Sequence, residues 1–378
     1  MKKIKVIEVI DKTFLGGGQK NLLSLLDHLD KDRFDLSVCS NPQGHLVDEV
    51  RKRNISHYPV SMNKRFQMDS IKKIRTLLRN NRFDIIHTHG GVAGIYGRWA
   101  ARKQSRLAVV HTLHGVHYLY YRNIFLKYIY RCLEKVFSQF THAVIFVSRA
   151  DLRKGRKFRL VSKDKMRLIE NGIDFQSLEN QGIDQNKENK MGNAPVVGTV
   201  ARLHRQKNIP LLIRAGAEIK ERYSGFKILV IGEGPLRGKL ERLNQRLETD
   251  DIVHFLGERK DIPGLISGMD VFVLPSLWEG LPYVLMEAAA LEKPVVATDV
   301  DGIREMIEDE ETGILVSPKK PEELAEAVMR LLDNPEWAQK LGKNFHRSLK
   351  KKYSLSNMVH KIQDLYIELY QQIRRSKK

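Results

Sequence analysis

Cysteine is nearly absent from this chain of 378 residues: Cys39 and Cys132 stand far apart, with no CxxC spacing. That pattern excludes a disulfide framework and a cysteine-based zinc site, and it fits a reducing compartment. Proline is sparse and no low-complexity tract occurs, so a disordered or fibrous chain is excluded as well. Also missing is any run near the roughly 18 apolar residues needed to cross a bilayer. The opening "MKKIKVIEVIDKT" begins basic, but its short apolar run is interrupted by Glu8, so it reads as a first strand rather than a signal peptide. The expected location is cytoplasmic.

Acidic residues are scarce in one region. Between Arg51 and Arg167 there are 27 Lys+Arg and 5 Asp+Glu, a balance of +22 against +20 for the whole chain, so the remainder sums to −2. A basic region of this kind suits nucleic acid, an anionic membrane or an acidic substrate, and charge alone does not choose among them. A solubilising surface has the same composition.

The length supports two domains, and 42% hydrophobic residues are enough to fill their cores. Short β-branched runs ("KIKVIEVI", "FDLSVCS", "FDIIHTH", "RLAVVHTLH", "AVIFVS") alternate with helical patterns, as in βαβ units around a parallel sheet. A polar stretch from Glu179 to Pro195 interrupts the rhythm, which restarts with "PVVGTVARL", "FKILVIGEG", "VFVLPS" and "PVVATDV". The expected fold is α/β: two doubly wound Rossmann-like domains facing a central cleft, residues 1–180 and 195–358, joined by a linker at 181–194. Beyond Ser354 the apolar spacing is that of one long amphipathic helix.

Ligands of open α/β sheets sit beyond the carboxyl ends of the strands, so residues just after strands are the informative ones. "FLGGGQKN" follows the first strand; Gly16, Gly17 and Gly18 allow close backbone approach, and the helix start behind them favours an anion such as phosphate. It lacks GK[ST], and Asn21 stands where GxGxxG ends, so a plain tight turn accounts for it too. "GTVARLHRQKN" puts Arg202 and Lys207, with Arg205 as a substitute, in the loop after the second domain's first strand. Two cations above helical amides suit a diphosphate; a surface salt bridge is the plainer reading of either one. "VIGEGPLRG" adds Gly232 and Gly234 to the same anion-lined surface.

In "PSLWEGLPYVLMEAAAL", Pro282 suits a first helical turn. Glu279 is then expected on the loop rim and Glu287 inside the helix, among Met286, Ala288 and Ala289. Carboxylates accept vicinal hydroxyls, so the pair suits a sugar and a ribose better than acid–base work. His114, ahead of Gly115, is the better cleft residue of "VVHTLHG", and His111 the packed one. His87 and His89 share one strand face, but no Cys or carboxylate stands nearby in sequence to complete a metal set. Asp299 and Asp301 read as a loop.

Taken in order, "GGGQ", "HTLHG", Val147–Ser148, "NGID", "ARLHRQKN", "GEGP", "FLG", Glu279-x7-Glu287 and "GILVSP" resemble the motif set of the GT-B retaining glycosyltransferases of family 4, across nearly the whole chain. The resemblance implies hexosyl transfer from a nucleotide-sugar, with a UDP-sugar ahead of GDP- or ADP-sugars, to a glycan or lipid-linked acceptor of envelope polysaccharide or lipopolysaccharide synthesis. It further implies retention of configuration, no metal, no resident cofactor, and residues 359–378 packing back on the first domain. By the same matching, Arg202 and Lys207 neutralise the departing diphosphate, and the Gly17 segment touches the distal phosphate. Glu287 takes the ribose, Glu279 with Gly280 and Leu281 lies beside the donor sugar, and His114 lies near the sugar's C6 hydroxyl and the reacting centre. "VDGIRE" departs from the family's usual Gly-Gly pair.

The acceptor side falls to the basic first domain, where "HGVHYLYYRNIFLKYIYRCLEKVF" mixes aromatics with Arg and Lys. That suits peripheral docking on anionic lipid at the cytoplasmic face, while a buried Tyr/Ile face with a basic exterior has the same pattern. Three rivals explain less. A nucleic-acid-binding protein accounts for the charge but shows no RNP-like stretch or recognition helix. An NAD-dependent enzyme accounts for the glycine turns and not the Arg202, Lys207 and paired-Glu set. A GT-B sugar-nucleotide epimerase is not expected to carry Glu-x7-Glu in this form.

Overall fold

The structure is a computed structural model that describes residues 2–14, 16–62, 67–186 and 194–375. The chain divides into two compact units, Met1–Gly172 with Leu355–Lys378, and Ile173–Ser354.

The first unit is a seven-stranded parallel sheet of β1 (Ile4–Ile10), β2 (Phe34–Ser40), β3 (Ser56–Pro59), β4 (Ile85–His89), β5 (Ala108–Leu113), β6 (Ala143–Phe146) and β7 (Met166–Leu168), in spatial order 3-2-1-4-5-6-7. The crossovers are α1 (Gly17–His28), α2 (His45–Lys52), α3 (Met68–Asn81), α4 (Gly91–Ala101), α5 (Ile124–Ser138) and α6 (Arg149–Lys157). Helices cover both sheet faces, which is why the central strands read as near-continuous apolar runs and β4 and β5 are buried at every residue.

The second unit opens with α7 (Phe175–Asn186). Its six strands are β8 (Val196–Val200), β9 (Lys227–Ile231), β10 (Val253–Gly257), β11 (Val271–Leu274), β12 (Val295–Thr298) and β13 (Ile314–Val316), in order 10-9-8-11-12-13. Its other helices are α8 (Ile209–Arg222), α9 (Arg237–Arg246), α10 (Ile262–Ser267), α11 (Tyr283–Ala290), α12 (Pro321–Asp333) and α13 (Pro335–Lys352). In each sheet the winding reverses beside the first strand, between β1 and β4 and between β8 and β11. That reversal leaves a crevice at the carboxyl ends.

The chain then returns to the first unit as α14 (Leu355–Arg375). Its Leu355, Met358, Val359, Ile362, Leu365, Tyr366 and Leu369 bury against Val6, Ile85 and Val110 of the sheet. The return begins at 355 rather than 359 because Leu355 and Met358 belong to the same apolar stripe.

The other boundary also differs from expectation. Residues 173–180 join the second unit, since α7 packs against α10 and α11, Phe175 meets His346 edge-on at 5.7 Å, and Gly182 sits where a Cβ would strike Leu291. The polar surface of α7 gives it the look of a linker. The expected linker therefore begins inside a helix, and its residues 187–193 lie outside those described.

Helix α5 overturns the buried reading of "YLYYRNIFLKYIY". Ile124, Phe125 and Tyr128 are 71%, 76% and 66% exposed and Ile129 is exposed beside them, while Tyr118 is buried. A buried pair ties this helix to α4, beside the packing of Phe137 and Leu133. Arg98 of α4, fully buried, donates from both Nη atoms to the Glu134 carboxylate at 3.0 Å and from Nε to the Gly94 carbonyl at 2.9 Å. Removing one partner leaves an uncompensated buried charge, a loss of about 3–5 kcal/mol. Glu134→Ala is therefore expected to lower the first unit's denaturation midpoint by that free energy, read by urea unfolding; a loss below about 1 kcal/mol would mean water reaches Arg98.

Candidate active site

In the second unit two loops meet at the reversal of the sheet. The loop after β8 carries Arg202 and closes in a 3-10 turn, Arg205–Lys207, before α8. The loop after β11 carries Ser276, Trp278 and Glu279 before α11. Lys207 Nζ lies 2.5 Å from Glu279 Oε1. The same oxygen accepts from Ser276 Oγ at 2.7 Å, and Oε2 accepts from Gln206 Nε2 at 3.2 Å. Gln206 also donates to the Trp278 carbonyl at 2.9 Å, and Thr298 Oγ1 to the Ser276 carbonyl.

Glu279 is thus 7% exposed and not on a rim. A buried carboxylate needs donors, and the two loops supply three, Lys207 and Gln206 from one and Ser276 from the other. The resemblance assigned Lys207 and Glu279 to different parts of a ligand; here they are each other's partner. The pair fixes the ammonium beyond the ends of β8 and β11. Arg202 is exposed on the same loop, and Arg205 lies over the Trp278 ring at 5.4 Å. The first-turn amides of α8 add to the positive character of this surface.

Gly232 and Gly234 support this loop from behind. Gly232 has φ +126°, and a Cβ there would lie 2.3 Å from the Ala201 carbonyl oxygen; at Gly234 it would lie 2.5 Å from that of Leu203. The loop after β9 therefore lies flat on the backbone that carries Arg202, with Ala201 N–H and Leu203 N–H bonded to Ile231 and Glu233 carbonyls at 2.9 Å. Gly302, of the segment that departs from the family pattern, has the same function: any Cβ would collide with the Gly280 carbonyl, and its N–H reaches the Glu279 carbonyl at 3.4 Å. Gly280 and Leu281 are buried between. Glu287 stands in the second turn of α11, 7% exposed, as its apolar neighbours imply; Pro282 is the N-cap rather than a first-turn residue. Asp299 pairs with Arg304 in an exposed loop.

In the first unit, Gly16 caps α1 and Gly17 and Gly18 form its first turn. The His114 ring lies over Gly18, where a Cβ would come within 3.3 Å of its Cδ2, so two residues singled out separately are in contact. Behind His114 the parallel register places Glu8 opposite His87, and His89 opposite Thr112. The carboxylate missing from the local sequence around His87 and His89 thus comes from β1, and the three ligand atoms lie within 4.8 Å of one another.

Each of those atoms is already bonded within the protein. Glu8 Oε2 meets His89 Nε2 at 2.7 Å and His87 Nδ1 at 3.2 Å, and Oε1 accepts from Tyr366 Oη at 2.8 Å. His87 also meets Tyr366 Oη at 2.6 Å and Thr112 Oγ1 at 2.7 Å. Burial alone would raise the Glu8 pKa, but the His87 charge and the bonds from both histidines hold it well below the usual carboxylate range. Burial, with neighbouring imidazoles, pushes His89 down and His114 well down, so His114 is neutral at pH 7. His111 is packed as expected, fully buried against Thr88 at 2.8 Å.

Glu8 and Tyr366 lie in no motif, and Gln206, Ser276 and Gly302 lie within the quoted stretches without being singled out there. For Glu8 the one signal is a carboxylate interrupting an otherwise apolar strand.

Comparison with known proteins finds relatives along nearly the whole chain. The family model "Glycosyltransferase Family 4" matches residues 15–177 and "Glycosyl transferases group 1" matches 180–347. The chain is 29% identical over 97% of both lengths to the UDP-Gal:alpha-D-GlcNAc-diphosphoundecaprenol alpha-1,3-galactosyltransferase of Escherichia coli. It is 25% identical, over 83% of this chain and 86% of the other, to the N,N'-diacetylbacillosaminyl-diphospho-undecaprenol alpha-1,3-N-acetylgalactosaminyltransferase of Campylobacter jejuni. Its fold matches that of Anabaena Alr3699/HepE, solved in complex with UDP-glucose, with a TM-score of 0.83 at 20% identity, covering 97% of this chain and all of that one. With two Rossmann-like units in sequence, a family model matched on each and full-length relatives, the chain belongs to the GT-B glycosyltransferases of family 4.

Proposed function

We propose that the enzyme transfers a hexose from a UDP-sugar to a lipid-linked glycan, with retention of configuration and without a metal. The observation that carries this reading is the fixed ammonium of Lys207, with Arg202 on the same loop, beyond the strand ends where the second sheet reverses. Departure of a nucleoside diphosphate builds negative charge on the leaving group, and preorganised cations and helix amides stabilise it where it develops. Glu287, buried on α11, takes the ribose hydroxyls. Retention is carried by the motif resemblance. The UDP-sugar is supported by the name of the Escherichia coli relative, and the lipid-linked acceptor by the names of both that relative and the Campylobacter jejuni one.

Among the described residues no helix is long and apolar enough to cross a membrane. The exposed apolar residues of α5 stand beside Arg122, Lys127 and Lys135, a composition that suits shallow insertion at an anionic lipid surface. An enzyme with a lipid-linked acceptor gains from such docking, because both reactants then share one surface.

Lys207→Ala is expected to lower kcat by about 10²-fold, on the scale of losing one preorganised donor. Steady-state transfer from the UDP-sugar that gives the largest thermal shift among UDP-, GDP- and ADP-sugars measures it; an unchanged kcat removes Lys207 from the mechanism. On liposomes, the protein is expected to float with anionic vesicles and not with neutral ones, and Phe125→Ser to weaken flotation. Equal behaviour on both vesicle types would sink the docking reading.

A further inference from the structure

Donor binding leaves unexplained why the first sheet buries a row of polar and titratable side chains at its own reversal. Glu8 (β1), His87 and His89 (β4), Thr112 (β5) and Tyr366 (α14) are fully or almost fully buried there, and His114 and His117 follow β5. With Glu8 ionised and His87 Nδ1–H donating to Tyr366 Oη at 2.6 Å, their bonds form a chain with a self-consistent proton order. Tyr366 Oη donates to Glu8 Oε1 at 2.8 Å, and ionised Glu8 accepts His89 Nε2–H at 2.7 Å. Neutral His89 then has only a lone pair on Nδ1, so the 3.0 Å contact to His114 must be donated by His114 Nε2–H. The His89 and His114 rings are stacked at 5.3 Å. His114 Nδ1 is buried and has no hydrogen-bond partner among the described residues.

We propose that the chain Tyr366–Glu8–His89–His114 holds the His114 imidazole in the Nε2–H tautomer and fixes its ring orientation over Gly18, making Tyr366, Glu8 and His89 positioning residues. The docking of α14 thereby sets the geometry of a side chain that lies more than 250 residues earlier in sequence. The contacts of the hydrogen-bond chain stand on geometry, and their direction follows from an ionised Glu8 beside a neutral His89; its effect on turnover rests on reading His114 as a residue of the reacting centre.

The test uses full-length protein with 15N-labelled histidine, in which long-range 15N–1H spectra report the protonated ring nitrogen without any ligand. His89 and His114, assigned from His89→Gln and His114→Gln, are both expected as Nε2–H at neutral pH. A proton on His114 Nδ1, or averaging between tautomers, overturns the proposal. His89→Gln keeps a donor for Glu8 but removes the acceptor facing His114, so His114 is expected to average between tautomers. In His89→Asn, Oδ1 takes the place of Nδ1, and the single tautomer returns. An unshifted His114 signal in His89→Gln contradicts the chain. Tyr366→Phe, the mildest change, is expected to lower kcat by about tenfold with donor KM within about twofold, as for a group acting in turnover rather than ground-state binding. Unchanged kcat, or a loss confined to KM, overturns the positioning role. Absent turnover in the unmodified protein beside the expected spectrum would instead fail the functional reading and leave the hydrogen-bond chain in place.

Discussion

The constraint on which the rest depends is the reversal of winding beside the first strand of each sheet. Parallel strands buried on both faces have almost no room for charge along their length, so polar chemistry collects where crossovers diverge at the carboxyl ends. In the second unit that place holds Lys207 and Glu279, an ion pair at 2.5 Å with side chains 18% and 7% exposed. Such a pair repays its desolvation only if the remaining lone pairs are satisfied. Ser276 and Gln206 supply those donors, and Gly232, Gly234 and Gly302 let neighbouring backbone press close enough to hold the loops. The result is a cation whose position is set before any ligand arrives, which is what electrostatic stabilisation of a leaving group requires.

The first unit uses its own reversal differently. Instead of an ion pair with a lysine it buries a carboxylate of β1 among imidazoles of β4 and a phenol of α14. Glu8 and Tyr366 are 358 residues apart, so the cluster exists only once α14 has docked. Contacts of such sequence separation form late because loop closure precedes their reward. Arg98 and Glu134 act more locally, tying α5 to α4 so that its apolar side can stay exposed without the helix detaching.

The alternation of β-branched runs with helical periods was enough to read both sheets, and the loops after β1, β8 and β11 were found because site residues follow strands. Three things were hidden for physical reasons. The partners of Glu8 and Tyr366 are set by sheet register and by a helix that returns across the whole chain, neither of which leaves a local pattern. The Lys207–Glu279 pair joins two loops that the motifs describe separately, so the bond between them leaves no local pattern. Helix α7 is polar on its surface and meets the second unit through Phe175 and the small Gly182, so its composition resembles a linker. The exposure of Ile124, Phe125 and Tyr128 was undecidable from periodicity, because an apolar face looks the same whether it meets a core or a lipid surface.

The most direct measurement is a crystal structure of the protein soaked with UDP. The account predicts its diphosphate within hydrogen-bond distance of Lys207 Nζ and the Arg202 guanidinium, and its ribose hydroxyls on the Glu287 carboxylate. A nucleotide seated away from these three side chains, with the Lys207–Glu279 pair undisturbed, would contradict it.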